Sequence, residues 1–267
     1  MRKSILSLSV AAAVLVPGLA AAQAAAPSPL TGNITLINDY RFRGISQTFQ
    51  EPAIQGGFDY AHASGLYAGN WNSNVSQGAG FPGGNIEMDF YGGYKKAFGD
   101  VGLDVGFIYY YYPGTNAGPT TLFSPINNKT GEVASGKVDN KEIYIGGSWK
   151  WLSLKFYDSI DNYFSTPGTK NTYYVDLSGN YDLGNGWGVT GHFGHLKFKG
   201  MSNADYSDWK LGVAKDISGW VLGAAFVGTN AKGDCGKGEF YCFGNTSGTK
   251  VKDAGKSAVL LSISKSF

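Results

Sequence analysis

The 267-residue chain is poor in charged side chains, histidine and cysteine. Charged residues make up 16% of it, well below the usual quarter, and no basic stretch suits a nucleic-acid surface. Its three histidines, His62, His192 and His195, accompany no Gly-x-Ser-x-Gly elbow, so no catalytic nucleophile, base and acid are predicted to converge. The histidines and the two cysteines also match no metal-ligand spacing. The sequence thus argues against a nucleic-acid partner, an enzyme, a metal site and a bound cofactor.

The first residues have the pattern of a secretory signal peptide. Two basic residues precede an apolar run from Ile5 to Ala22, and Ala-x-Ala cleavage sequences lie between Ala20 and Ala26. We predict a signal peptide over residues 1–24 and one exported domain over residues 25–267. Two of the 22 basic residues lie in this leader, so the exported domain has 20 basic and 20 acidic residues and is formally neutral.

After the leader, stretches of about ten residues alternate apolar with small or polar side chains, which is typical of β-strands with two chemically different faces. Val101, Leu103 and Val105 share one face of such a stretch, while Asp104 lies on the other. The same alternation recurs over residues 86–94, 142–151 and 173–182. Aromatic residues make up 15% of the chain, and this excess of rings with few charges is what a lipid-facing surface shows.

Twelve strands are predicted, and the lengths of their connections alternate. The predicted strands cover residues 31–43, 53–61, 66–75, 86–96, 101–112, 141–150, 152–161, 171–182, 187–198, 206–216, 220–229 and 257–267. Connections after even-numbered strands are short turns, whereas those after odd-numbered strands are longer, the longest being 113–140 and 230–256. This alternation is the signature of bacterial outer-membrane barrels. We therefore predict an all-β fold, a monomeric transmembrane antiparallel up-and-down β-barrel of about 12 strands with periplasmic termini, rather than a soluble sandwich.

Aromatic rings concentrate at the predicted strand ends, where the two membrane interfaces would lie. Tyr109 to Tyr112 end one strand. The tryptophans beside predicted short turns are Trp149, Trp151, Trp187 and Trp220. Phe267, the last residue of the final strand, resembles the signal by which the outer-membrane assembly machinery recognises its clients. Lys265 interrupts the apolar face of that strand, but its long stem can reach the lipid headgroups.

Four short stretches in the first third of the exported domain carry a family resemblance. They are residues 39–48 (DYRFRGISQT), 52–60 (PAIQGGFDY), 65–71 (GLYAGNW) and 74–75 (NV). Together they resemble the TorF-type porin family, also called the Gcw_chp family of proteobacterial proteins. The likeness is specific over residues 38–95 and looser from there to the final strand. It implies a twelve-stranded outer-membrane barrel described as a porin, and it supplies no catalytic residues.

If the apolar face points to lipid, the opposite face forms a polar lumen with charges of both signs. The predicted lumen-lining residues are Asp39, Arg41, Arg43, Asp59, Glu87, Asp89, Lys95 and Asp104. Further side chains predicted to point inward are Thr35, Gln55, Asn70, Asn72, Glu142, Lys150, Lys155, Asp176, Asp208 and Lys210. Arg41 and Arg43 are the first candidates for contact with a passing solute. The alternative is that they anchor the barrel wall by pairing with acidic neighbours.

The favoured function is a porin-like channel for passive diffusion of small hydrophilic solutes, with outer-membrane lipid, the assembly machinery and small polar solutes as partners. Twelve strands lie between filled eight-stranded barrels and open sixteen-stranded porins, so a lumen closed by its own salt bridges stays an alternative. Two further hypotheses are a structural barrel that binds partners through its loops and an outer-membrane enzyme. Cys235 and Cys242 predict a local disulfide that shapes or protects the 230–256 loop.

Overall fold

A computed structural model describes residues 28–116, 136–245 and 247–267. Within these ranges twelve antiparallel strands close into one barrel, in which each strand pairs with its sequence neighbours and the last pairs with the first. The strands are β1 (Leu30–Ile37), β2 (Ala53–Ala61), β3 (Leu66–Asn74), β4 (Ile86–Phe98), β5 (Val101–Tyr111), β6 (Asp139–Trp149), β7 (Leu152–Ser159), β8 (Tyr173–Gly184), β9 (Trp187–Lys197), β10 (Tyr206–Ile217), β11 (Trp220–Thr229) and β12 (Ala258–Ser266). The predicted all-β, twelve-stranded barrel is confirmed.

The predicted signal peptide over residues 1–24 lies outside the described residues, as does most of the 113–140 loop. Both therefore stay predictions. None of the residues that the structure describes forms a helix long and apolar enough to cross a bilayer.

The connections alternate in length as predicted. Turns after β2, β4, β6, β8 and β10 span two to four residues, and every connection after an odd-numbered strand is longer. The barrel thus has one rim of short turns, where β1 begins and β12 ends, and one rim of long loops. In outer-membrane barrels the short turns face the periplasm and the long loops face the outside.

The outward face of the barrel is an apolar band. Leu103 is 51% exposed on β5, and Leu211 is 66% exposed on β10, with similar residues on every second position of the strands. Indole rings lie at the rim of short turns, and Lys265 lies 4.8 Å above the Trp220 ring, where its ammonium reaches the headgroup level. A continuous apolar belt of this kind suits lipid and not water, and closure of the barrel pairs the backbone polar groups of neighbouring strands, as a hydrocarbon surrounding requires. The protein is therefore an integral outer-membrane barrel.

The terminal residue takes part in closing the barrel. The Gly32 N–H donates to the Phe267 carbonyl at 2.7 Å, and the Phe267 N–H donates to the Gly32 carbonyl at 2.9 Å. A β-carbon at position 32 would lie 2.7 Å from the Phe267 ring. Glycine at this position therefore lets the ring lie against β1.

Candidate functional site: the barrel lumen

The prediction that the first strand runs to residue 43 is wrong. β1 ends at Ile37, and between Asp39 and Thr48 side chains of both parities are buried. A wall strand buries only alternate residues, so this part of the chain has left the wall. Instead it folds into the lumen as a short hairpin over residues 41–46. We call residues 38–52 the inner segment and residues 41–46 the inner hairpin.

The tip of the inner hairpin is a tight turn made by Arg43 and Gly44. Both residues have positive φ, 48° and 79°, which is the combination of a type I′ hairpin turn. A β-carbon on Gly44 would lie 2.7 Å from Cβ of Asp208 on β10 and would also collide with Thr229 at the end of β11. Glycine therefore allows the turn to lie directly against this side of the wall.

Arg43 anchors the hairpin tip to the far side of the lumen. Its guanidinium donates to both carboxylate oxygens of Glu142 on β6, at 2.9 and 2.7 Å, and to the Tyr163 hydroxyl at 3.2 Å. It also lies 4.3 Å from the ring centroid of Tyr174 and 5.2 Å from that of Tyr157 on β7. The Arg43 and Glu142 side chains are 4% and 1% exposed. Two-pronged hydrogen bonding between stacked rings is the geometry that offsets the loss of hydration of a buried ion pair.

β7 lies opposite β1 in a ring of twelve strands, so the contacts of Arg43 show that the inner hairpin crosses the lumen. Tyr40 adds an anchor to the wall between them, because its hydroxyl donates to Glu87 on β4 at 3.1 Å. Together these anchors place the hairpin where a solute would have to pass.

The loop over residues 230–257 holds the inner segment from the outside. Arg41, which also pairs with Asp39 at 2.6 Å, donates to the carbonyls of Ala254 and Lys256 at 3.0 Å each. The Ser46 N–H donates to the same Ala254 carbonyl at 2.9 Å. The predicted disulfide within this loop is present, since the sulfur atoms of Cys235 and Cys242 lie 2.07 Å apart.

A second polar cluster lies on the inner face towards the short turns. Asp104 accepts hydrogen bonds from Lys155 at 2.6 Å and from Tyr67 at 2.7 Å, and Lys95 lies 3.9 Å from it. On the adjoining strands, Tyr91 donates to Asp59 at 2.6 Å. Asp59, Lys95 and Asp104 thus all face the lumen. Their polar partners are side chains of the barrel wall and not of the inner segment.

A third cluster, on β8 to β10, could not be read from the linear sequence because its members come from three adjacent strands. His192 Nε2 lies 2.8 Å from Asp208, and its Nδ1 lies 3.4 Å from Asp176 and 3.1 Å from the Ser178 hydroxyl. The order serine, histidine, aspartate is that of a hydrolase triad. In a working triad, however, the serine hydroxyl donates to the imidazole, which takes its proton. Ser178 donates to Asp176 at 2.5 Å instead.

Three side chains predicted to point inward do not. Asn70 and Asn72 lie on the outer face of β3, where their amides donate to the Asp89 and Gly56 carbonyls at 3.0 and 3.3 Å. Trp71 between them is 4% exposed and packs its ring against Tyr40, with ring centroids 5.3 Å apart. Burial of this ring in the lumen decides the orientation of the strand. Lys150 lies in the turn after β6, over the Trp149 ring.

The other residues predicted to line the lumen face it, but in two different settings. Glu87 and Asp89 lie on the inner face of β4 and are buried. Asp39, Arg41 and Arg43 are inside the barrel as part of the inner segment and not of its wall. A cavity of about 10 Å³, room for about one water molecule, lies on the inner face of β9 to β12 beside Thr190 and Leu260.

Comparison with known proteins gave one family and several solved barrels. A "KdgM porin" structure has a TM-score of 0.48 and 8% identity, covering 89% of this chain and 98% of that one. A "NanC porin" structure has a TM-score of 0.48 and 9% identity with the same coverage. The outer-membrane protein OmpT of Vibrio cholerae has a TM-score of 0.42 and 9% identity, also with 89% and 98% coverage. No curated protein matches the chain.

The family described as "Bacterial protein of unknown function (Gcw_chp)" matches residues 21–267. This confirms the resemblance noted in the sequence, although the match does not carry the name TorF. By the extent of the match and the closed barrel of its described residues, the chain belongs to the Gcw_chp family of bacterial proteins.

Proposed function

We propose that this barrel is an outer-membrane channel for small hydrophilic solutes and that the inner hairpin controls passage through it. The observation that carries the proposal is the position of the hairpin. It enters from the rim of long loops, crosses the lumen and ends on the Arg43–Glu142 pair, while polar clusters continue towards the opposite rim. Eight-stranded barrels have no passage, and side chains of their own wall fill them. Here a separate segment crosses the lumen instead, which is the arrangement expected of a barrel whose passage is controlled.

Charge on the inner face indicates which solutes would pass. Carboxylates outnumber basic groups between the two mouths of the barrel. The inward carboxylates are Asp39, Asp59, Glu87, Asp89, Asp104, Glu142, Asp176 and Asp208, and the inward basic groups are Arg41, Arg43, Lys95, Lys155 and Lys210, besides His192. Acidic linings favour cations, so cationic and zwitterionic solutes are the proposed cargo.

The refolded exported domain is expected to give discrete current steps in a planar bilayer, with a reversal potential in a salt gradient that shows cation preference. Asp104→Asn should weaken this preference because it removes a carboxylate from the lumen. Lys141→Gln is the matched control, since Lys141 is on the outer face of β6 and pairs with the exposed Asp161 at 3.1 Å. Anion preference, or a response to Lys141→Gln as large as that to Asp104→Asn, would contradict the proposed lining.

A non-conducting barrel that acts through its outer loops is the second candidate, and the burial of the Arg43–Glu142 pair favours it. Full insertion into the bilayer without any current, in the wild type and in a variant lacking the inner hairpin, would support this candidate. We also propose, from the aromatic residue that closes the barrel, that Phe267 contributes to recognition by the assembly machinery.

A further inference from the structure

Two buried carboxylates on β4 have no basic partner among the described residues. Glu87 is 0% exposed and Asp89 is 6% exposed. Tyr40 donates to one oxygen of Glu87, and the Tyr112 hydroxyl and the Asp89 carboxylate also lie close to Glu87. Glu87 Oε2 and Asp89 Oδ1 nevertheless have no hydrogen-bond donor. The inward basic side chains that form ion pairs do so with other acids, as Arg43 does with Glu142. This part of the lumen therefore holds two acidic groups that nothing described neutralises.

A third buried oxygen without a partner belongs to the same patch of wall. Gln55 on β2 is 2% exposed, and its Oε1 accepts no hydrogen bond, while its Nε2 donates to the Ser73 hydroxyl at 3.3 Å. Register pairs Gln55 with Ser73 on β3, and Ser73 with Glu87 on β4, so the three lie in one row on the inner face. Asp89 follows two residues along β4 and points the same way. Neighbouring strands are about 4.8 Å apart, so Gln55 and Glu87 are separated by two strand spacings, a gap that two long side chains pointing into the lumen can close around one small ligand.

A carboxylate buried without a counter-charge costs several kcal/mol, and two adjacent ones repel each other as well. Either a shared proton or a bound cation removes this cost. A proton can satisfy only one or two of the free oxygens and leaves the Gln55 carbonyl oxygen without a donor. A cation can engage the amide oxygen and both carboxylates at once.

We propose that Glu87, Asp89 and Gln55 form a site for a hard divalent cation, of the Ca²⁺ class, inside the lumen. The available donors are oxygens only, from two carboxylates, an amide and nearby hydroxyls. Such sets suit Ca²⁺ better than zinc or copper, which prefer nitrogen or sulfur.

The site also adjoins the inner segment, because Tyr40 donates to Glu87 and stacks edge-on against Trp71, the cross-strand partner of Asp89. A bound cation would therefore strengthen the attachment of the inner segment to the wall. The inference concerns binding alone and does not depend on whether the barrel conducts.

Terbium luminescence tests the site directly, because Tb³⁺ replaces Ca²⁺ and is excited through nearby aromatic rings such as Trp71 and Tyr40. The refolded wild-type barrel in detergent is expected to sensitise Tb³⁺ emission and to lose it when Ca²⁺ is added. Glu87→Gln and Asp89→Asn should each weaken Ca²⁺ competition by more than the roughly tenfold that loss of an outer-shell partner alone costs. Asp59→Asn, which removes a lumen carboxylate already bound by Tyr91, is the matched control and should leave binding unchanged.

Folding of each variant is checked by its heat-dependent mobility on gels. If a carboxylate variant fails to refold, Gln55→Leu, which removes no charge, replaces it as the test of the site. Unchanged Tb³⁺ emission in Gln55→Leu and in the refolded carboxylate variants would overturn the proposal. So would an infrared band of a protonated carboxylic acid that persists in saturating Ca²⁺ and disappears in Glu87→Gln, because the pair would then hold a proton.

Discussion

Replacing residues 39–48 with a short Gly-Ser linker is expected to raise the single-channel conductance of the barrel several-fold. The inner hairpin crosses the lumen, and its removal takes away the described segment that Arg43 anchors to the far wall. A short linker suffices, because Ile37 and Ala53 are already paired across β1 and β2. The variant should also carry Glu142→Gln, so that no carboxylate is left buried without Arg43.

The double variant Arg43→Met, Glu142→Gln is the control for this variant, because it keeps the hairpin and changes the same wall residue without leaving the Arg43 guanidinium buried without a counter-charge. We expect its conductance to stay near that of the wild type. A hairpin-deleted barrel that inserts, keeps its heat-dependent gel mobility and conducts no better than this control would show that the hairpin does not limit passage.

The second large effect is on stability. Glu142→Leu is expected to lower the free energy of unfolding by about 3–5 kcal/mol, because it leaves the Arg43 guanidinium buried without its counter-charge. The double variant Arg43→Met, Glu142→Leu should recover most of this loss, since apolar side chains of similar size often replace a buried ion pair without net cost. Urea unfolding of the refolded barrel, followed by tryptophan fluorescence, measures all three proteins.

The Lys141–Asp161 pair on the outside of the same strand provides the matched comparison. Its side chains are 37% and 57% exposed, and it is 3.1 Å long. Exposed pairs contribute about 0–1 kcal/mol, so Lys141→Met and Asp161→Leu should have small and nearly additive effects. If the coupling between Arg43 and Glu142 were equally small, the pair would not be a structural anchor.

The sequence predicted the barrel wall well because the wall obeys a local rule. Alternation of apolar and polar residues sets both the extent and the facing of a strand, as β5 and β8 show. The parity of loop lengths then distinguished a membrane barrel from a sandwich. The predictions of side-chain orientation were wrong where packing between residues distant in the sequence decides which way a side chain points. Asn70 and Asn72 face outward because the Trp71 ring finds a buried partner in Tyr40, which no local pattern reveals.

The inner hairpin is the larger departure from the sequence-based expectation. Residues 39–43 alternate charged and aromatic side chains and so resemble a continuation of β1. Arg43 and Gly44 form a turn whose neighbours lie on strands nearly a hundred or more residues away, such as Glu142 and Asp208. Lumen clusters such as His192 with Asp176 and Asp208 also depend on register between strands, and no spacing in the linear sequence reports it.

The rate of thiol labelling tests the position of the inner segment most directly. Both native cysteines are joined in the Cys235–Cys242 disulfide, so an introduced cysteine is the sole free thiol. Ser46 is 1% exposed within the hairpin, whereas Glu51 at the end of the inner segment is exposed. A membrane-impermeant maleimide is expected to label Ser46→Cys at least about tenfold more slowly than Glu51→Cys. The buried thiol can react only when the hairpin opens locally, so the frequency of that opening limits its labelling rate. Equal rates in the folded barrel would contradict a hairpin buried in the lumen.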